Sequence, residues 1–202
     1  MRILTVGERA LLVELDDLDS VLALAAELRA KPPPGVLECV PAARTVLLHC
    51  DIDRTTLRTV ADAVRRIRSA SRPEPPSEVV EIPACYDGPD IGDVLARTGM
   101  SRDEFIGWHT ASQWQVAFCG FAPGFGYLVT PHALSIPRRP TARTSVPAGS
   151  IGVAGEFSGV YPRASPGGWQ LIGRTTATLF DLAADPPAQL RPGVGVRFVD
   201  CT

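Results

Sequence analysis

A chain of 202 residues with 45% hydrophobic residues can bury a sizeable core in one domain or two small ones, and that composition excludes a disordered protein. The 20 Lys+Arg and 22 Asp+Glu leave a formal net charge of -2 with no long run of one sign, which argues against binding nucleic acid or another polyanion. Lys31 is the only lysine, so a P-loop or a lysine Schiff base has no support, and cationic chemistry falls to arginine, whose planar fork holds carboxylates and phosphates.

The five cysteines, Cys39, Cys50, Cys85, Cys119 and Cys201, are odd in number, widely spaced and without a Cys-x-x-Cys pair. Neither a metal site nor a disulfide framework is expected, and a reducing cytoplasm fits. Met1-Arg2-Ile3-Leu4 runs straight into an alternating pattern, and no apolar stretch approaches the roughly 18 residues of a membrane span. The expectation is a cytoplasmic protein with no membrane partner.

Alternation predicts strands over Arg2–Val6 and Ala10–Leu15 around a Gly7-Glu8 turn. A helix follows, capped by Asp19 or Ser20, with Val21, Leu22, Ala25 and Leu28 on one face, and Pro32-Pro33-Pro34-Gly35 stops it. Val36–Val40 and Thr45–Cys50 read as a second strand pair, the latter with the near-continuous apolar run of a buried strand. A second helix starts near Asp53 or Thr55, repeats Leu57, Val60, Ala61, Val64 and Ile67, and presents Arg58, Arg65, Arg66 and Arg68 outward. This order predicts a small α+β unit with both helices on one face of a sheet. Ser69–Ser77, with three prolines and no apolar period, reads as a semi-rigid connection, so the expected domains are residues 1–76 and 77–202.

Beyond it, Glu78–Ile82 reads as a strand and Asp90–Arg97 as a short helix ended by Gly99. Ser101-Arg102-Asp103-Glu104 has capping-box spacing for a helix that ends near His109. The pattern then turns to short strands at Trp114–Cys119, Ser150–Ala154, Trp169–Gly173 and Val196–Val199 divided by Gly/Pro turns, which predicts a mainly-β domain, a barrel or sandwich. Ala183–Pro192 reads as a loop.

Glycine and proline are densest between Phe118 and Trp169, so no long helix forms there and the backbone is shaped for rigid turns. That surface is the candidate site. His109 can serve as acid or base near neutral pH, its charged form favoured by a helix C-terminus, or it can simply cap and pack. Arg138, Arg139 and Arg143 stand among prolines, placed either to hold an anionic ligand or to pair with acidic side chains. Phe121, Phe125, Tyr127 and Trp169 lie beside glycines and either line a shallow pocket or fill barrel corners. The Gly-x-Ser-x-Gly elbow and the His-x-x-x-His pair are absent, so ordinary hydrolase and metalloprotease readings have nothing to rest on.

In order along the chain, Trp108-His109-Thr110, Gly120-Phe121-Ala122-Pro123-Gly124-Phe125-Gly126-Tyr127-Leu128, Pro137-Arg138, Arg143, Val146-Pro147-Ala148-Gly149-Ser150 and Ser165-Pro166-Gly167-Gly168-Trp169-Gln170 closely resemble the allophanate hydrolase subunit 1 family. That family includes the B subunit of 5-oxoprolinase and the sporulation kinase inhibitor. The resemblance implies a ferredoxin-like N-terminal domain and a cyclophilin-like β-barrel. It implies a partner, the 5-oxoprolinase C subunit (allophanate hydrolase subunit 2-like), with a third 5-oxoprolinase protein completing an ATP-dependent opening of 5-oxoproline to glutamate. ATP would be bound by the complex rather than necessarily by this chain.

By the same resemblance His109, Arg138 and Arg143 are catalytic. Substrate is held by Phe121, Pro123, Gly124, Phe125, Tyr127, Gly149, Pro166, Gly167, Gly168, Trp169 and Gln170. Gly126 and Ala142 stand where family members commonly carry proline. Allophanate hydrolysis itself needs a Ser-Ser-Lys apparatus that Lys31 cannot supply, so 5-oxoprolinase is the favoured reading. The alternatives are a non-catalytic regulator that binds and inhibits a histidine kinase, and a component of urea and allophanate metabolism.

Overall fold

The computed structural model describes residues 1–67, 76 and 78–201, and the chain divides into two compact units, Met1–Glu74 and Pro75–Thr202. The connection predicted over Ser69–Ser77 lies outside the described residues except for Pro76 and Glu78 beside it, as does Arg68.

In the first unit, β1 (Arg2–Val6), β2 (Ala10–Glu14), β3 (Val36–Pro41) and β4 (Thr45–Cys50) form an antiparallel sheet in the order β1-β2-β4-β3. Leu11 and Val13 pair with Leu48 and Val46, and with Cys50 they present one apolar face. Helix α1 (Leu18–Ala30) lays Val21, Leu24, Ala25 and Leu28 on that face, and α2 (Leu57–Arg66) adds Val60, Ala61 and Val64. The caps differ from expectation. Asp17 accepts from the Ser20 amide at 2.7 Å and Thr56 from Thr59, because the residue that caps must sit one position before the first helical turn in extended backbone. The strand β4, expected to be buried on both faces, alternates instead, with Val46 and Leu48 inside and Leu47 half-buried.

The second unit is built on β5 (Val79–Ala84), β6 (Trp114–Cys119), β7 (Gly126–Val129), β9 (Ser150–Ala154), β10 (Phe157–Val160), β12 (Gln170–Arg174) and β13 (Gly195–Asp200), in the order β12-β9-β10-β7-β6-β13-β5. Two further strands, β8 (Arg143–Val146) and β11 (Ser165–Gly167), pair separately. Helix α3 (Ile91–Thr98) packs on β12 and α4 (Arg102–Ala111) on β13, the latter opened by the predicted capping box of Ser101 and Glu104. Strands β7, β8, β10 and β11 fall in the glycine- and proline-rich stretch that predicted only turns.

The sheet nearly closes into a barrel, because the segment that follows β5 runs along β12. Cys85 and Arg174 exchange two backbone hydrogen bonds of 2.9 Å, Gly88 donates to Ile172 at 3.2 Å and Asp90 donates to Leu171 at 3.0 Å. This seam has no room for side chains at two positions. A Cβ on Gly173 would lie 2.4 Å from the Cys85 carbonyl oxygen, and one on Gly88 would lie 2.3 Å from that of Leu171.

Cys85 is also disulfide-bonded to Cys201, a single bond where no disulfide framework was expected. The partners are 116 residues apart in sequence, and only the parallel pairing of β5 with β13 brings their Cα atoms to 5.4 Å. Cys39, Cys50 and Cys119 are not disulfide-bonded. Among the described residues, no helix is long and apolar enough to cross a membrane.

Gly173→Ala should lower the unfolding free energy by about 3 kcal/mol in urea titration, because backbone must move on both sides of the seam. Gly92→Ala, a helical position with nothing within 4 Å of the added methyl, should instead raise it slightly. Cys201→Ser should cost roughly 2–4 kcal/mol through the longer loop left free in the unfolded chain.

Candidate functional site

The segment after the Ile136–Gly155 bridge carries three arginines, and the fold sends them in two directions. The Arg139 amide donates to the Gly168 carbonyl at 2.8 Å, which ties this segment to the loop before β12. Arg139 Nη1 and Arg143 Nη2 both donate to Asp90 Oδ1, at 2.6 and 2.7 Å, while the Leu171 amide donates to Oδ2 at 2.7 Å. Asp90 is 2% exposed. Burial alone would push its carboxyl up, but the hydrogen bonds from Arg143 and Leu171 and the charges of Arg143 and Arg139 outweigh that and hold it below the ordinary carboxylate range.

Asp90 precedes α3 and has the position of an N-cap, yet its side chain caps nothing; its carboxylate is committed to the arginines and to β12. Sequence reasoning missed Asp90, and the one signal that pointed toward it was the pair of proline-flanked arginines in need of a counter-charge.

Arg138 is exposed and makes no ion pair among the described residues. Its charge reaches two tyrosines: burial pushes Tyr127 and Tyr161 up, and the Arg138 charge acts against that push on each. Gly168 faces Arg138 and Ala142 without crowding either. Phe121, 55% exposed, stands at φ 67° and packs edge-on against Phe125 at 5.3 Å and Tyr161 at 5.9 Å. A bulky residue in left-handed backbone is uncommon and persists only where its surroundings hold it. Arg138 and Phe121 are exposed, Tyr127 is half-buried and Gly168 is buried beside Arg138, with Pro123 in the turn beside Phe121 and Pro166 exposed in β11.

The other expected wall residues are buried or packed closely against their neighbours. Phe125 and Trp169 are buried in a cluster with Tyr161 and Leu171. A Cβ on Gly124 would strike Phe180, on Gly149 the Thr175 carbonyl oxygen and on Gly167 the Tyr161 hydroxyl, so these three glycines make room for packing. Gln170 is buried and donates through Nε2 to the Pro137 carbonyl at 3.2 Å.

His109 is likewise not in the groove. It has no exposed surface, lies among Phe105, Trp108, Trp114 and Phe198, and both ring nitrogens are engaged: Nδ1 with the Tyr86 hydroxyl at 2.8 Å and Nε2 with Ser158 Oγ at 3.0 Å. The Ser158 hydroxyl is within 3.5 Å of the Gly152 carbonyl, which can only accept, so the chain of donors runs from Tyr86 through His109 and Ser158 to Gly152, with the proton on Nε2. The expected charged imidazole at a helix end is reversed, because burial lowers its pKa to about 3 and outweighs the helix carbonyls. Among the described residues no three His, Cys, Asp or Glu side chains gather in a group that could hold a metal ion.

The model of the carboxyltransferase domain, subdomain C and D, matches residues 1–190. The chain belongs to that family. It is 39% identical to the B subunit of 5-oxoprolinase from Escherichia coli O157:H7 over 209 residues, covering 96% of this chain and 93% of that protein. The crystal structure of TTHA0988 in space group P6522 superimposes with a TM-score of 0.78 at 34% identity over 96% of this chain, which spans 40% of that longer protein. The Kluyveromyces lactis urea carboxylase shares the fold at a TM-score of 0.75 and 19% identity, with 99% of this chain covered and 22% of that one.

In this family member the position of His109 has a measurable consequence. An unfolded chain protonates its histidine below the ordinary value of 6.5, whereas the folded chain does so only near 3, so stability is complete above pH 6.5 and declines as pH falls toward 3. Unfolding titrations should show that decline, and His109→Gln, although less stable at pH 7, should have a shallower slope between pH 6 and 4.

Proposed function

We propose that the chain acts as the B subunit of an ATP-dependent 5-oxoprolinase, joining a C subunit and a third protein in opening the lactam of 5-oxoproline to glutamate. The observation that carries this reading is its 39% identity to the Escherichia coli 5-oxoprolinase B subunit over 93% of that protein. In the same reading the first unit is a ferredoxin-like domain and the second a cyclophilin-like barrel, and the complex works in the cytoplasm.

Arg138 is the residue best suited to meet an anionic substrate, being exposed, without an ion-pair partner among the described residues, and with its charge felt by Tyr127 and Tyr161. Phe121 offers an apolar edge for the ring, and Pro123 and Pro166 are exposed. Arg143 donates to Asp90 and is only partly exposed, so it is not part of that open surface. His109 has no route to substrate and serves by fixing the Tyr86 and Ser158 side chains in the core.

ATP enters as a substrate of the assembled complex. This chain offers it no glycine-rich phosphate cradle with a lysine, so no step is assigned to ATP here. The chain alone should be inactive, since a site that lacks its partner lacks part of the positioned charge that lowers a barrier. A second reading, a regulator that binds a histidine kinase, draws on the exposed Phe121 held at positive φ, which has the form of a docking residue.

Co-expression with the other two proteins of the set should yield a complex that releases glutamate from 5-oxoproline only with ATP. Arg138→Ala should lower kcat/KM by about tenfold or more, the scale of one charge-assisted hydrogen bond, with thermal stability unchanged. ATP-independent or absent turnover by the full set would overturn the enzyme reading and favour the regulator.

A further inference from the structure

Three polar atoms around Asp90 are buried and have no partner: Arg139 Nε, Arg143 Nη1 and Gln170 Oε1. Native interiors rarely leave such groups unmet, and each unmet group costs free energy. The three are fixed by the same contacts. Asp90 Oδ1 grips both guanidinium groups, and the tie of Gln170 Nε2 to the Pro137 carbonyl turns its oxygen the other way. Gln170 is only 2% exposed and precedes Leu171, whose amide also binds Asp90.

The charges do not balance either. Two guanidinium groups face one carboxylate, so one positive charge is left over at arginines whose side chains are 31% and 22% exposed.

Resting on the 5-oxoprolinase reading above, we propose that Asp90, Arg139, Arg143 and Gln170 form a subsite for a carboxylate whose carrier has an N–H on the adjoining carbon, the chemistry of an α-amido acid. The carboxylate oxygens take the free Arg139 and Arg143 N–H groups and cancel the surplus charge. The N–H donates to Gln170 Oε1, the remaining acceptor. Asp90 is the positioning residue: it touches no ligand atom and holds both guanidinium groups on its Oδ1.

None of the three atoms is open to solvent, so a ligand enters only when the segment around Arg139, flanked by the exposed Arg138 and Pro140, moves. Arg138 then binds the incoming acid first and the buried pair receives it. A water molecule in the same place would answer the three hydrogen bonds but not the charge, and this is the difference the experiment reads.

Calorimetric titration of the full chain with four probes tests the assignment: L-5-oxoproline; the lactone acid of the same ring, which has oxygen in place of N–H; 2-pyrrolidinone, which lacks the carboxylate; and inorganic phosphate. L-5-oxoproline should bind at least tenfold more tightly than the lactone acid or 2-pyrrolidinone. Gln170→Glu, of nearly the same shape, adds the missing negative charge; it should weaken 5-oxoproline at least tenfold while leaving the melting temperature equal or higher.

Equal binding of 5-oxoproline to wild type and Gln170→Glu, or of the lactone acid and 5-oxoproline to wild type, overturns the subsite, as does binding of phosphate alone or of none of the four. None of those results touches the 5-oxoprolinase reading, which stands or falls on glutamate release by the assembled complex.

Discussion

The second unit depends on one buried carboxylate. Asp90 sits where the segment after β5 meets β12, and there its backbone N–H donates to Leu171 while its side chain accepts the Leu171 N–H in return. That reciprocal pair extends the closure begun by Cys85 and Arg174. The same carboxylate draws in Arg139 and Arg143 from the far end of the proline-rich segment. Closing the sheet and placing the arginines are therefore one event. Removing the charge would leave two guanidinium groups half-buried against each other, a loss of the kind that costs several kcal/mol when one partner of a buried pair is deleted.

Around that carboxylate the sequence favours close approach. Gly88 and Gly173 let two backbones meet with no space for a methyl group, and the Cys85–Cys201 bond ties β5 to the end of β13, its parallel neighbour. The polar chain from Tyr86 to Gly152 crosses the core of the same unit, with His109 neutral in its middle and every partner accounted for. A satisfied buried network of this kind fixes one packing arrangement. Outside that network, Arg138 and Phe121 stand exposed at the surface.

Much of this is legible in the amino-acid order. The α+β arrangement of the first unit follows from clean periods of two and 3.6, and the capping box at Ser101 follows from spacing alone. What escaped notice was non-local. Strands β7, β8, β10 and β11 look like turns because glycine and proline weaken local β preference, and only tertiary pairing makes them strands. The disulfide needs two strands to be neighbours, which a separation of 116 residues does not disclose. The density of turns marked the region proposed for the site, but not which residues within it would be buried. His109 looked like an acid–base group because its type allows it, and burial decided otherwise. Asp90 looked like the start of a helix, and its partners lie 49, 53 and 81 residues away.

Amide hydrogen exchange in Asp90→Asn tests most directly whether one carboxylate governs both the seam and the arginines. If it does, the Leu171, Gly88 and Arg174 amides should exchange faster together, by an order of magnitude or more, while amides of β6 and β7 keep their protection, and the Arg139 and Arg143 Nε–H signals should shift with them. Unchanged exchange at Gly88 and Arg174 in that variant would contradict the coupling and leave the seam standing without Asp90.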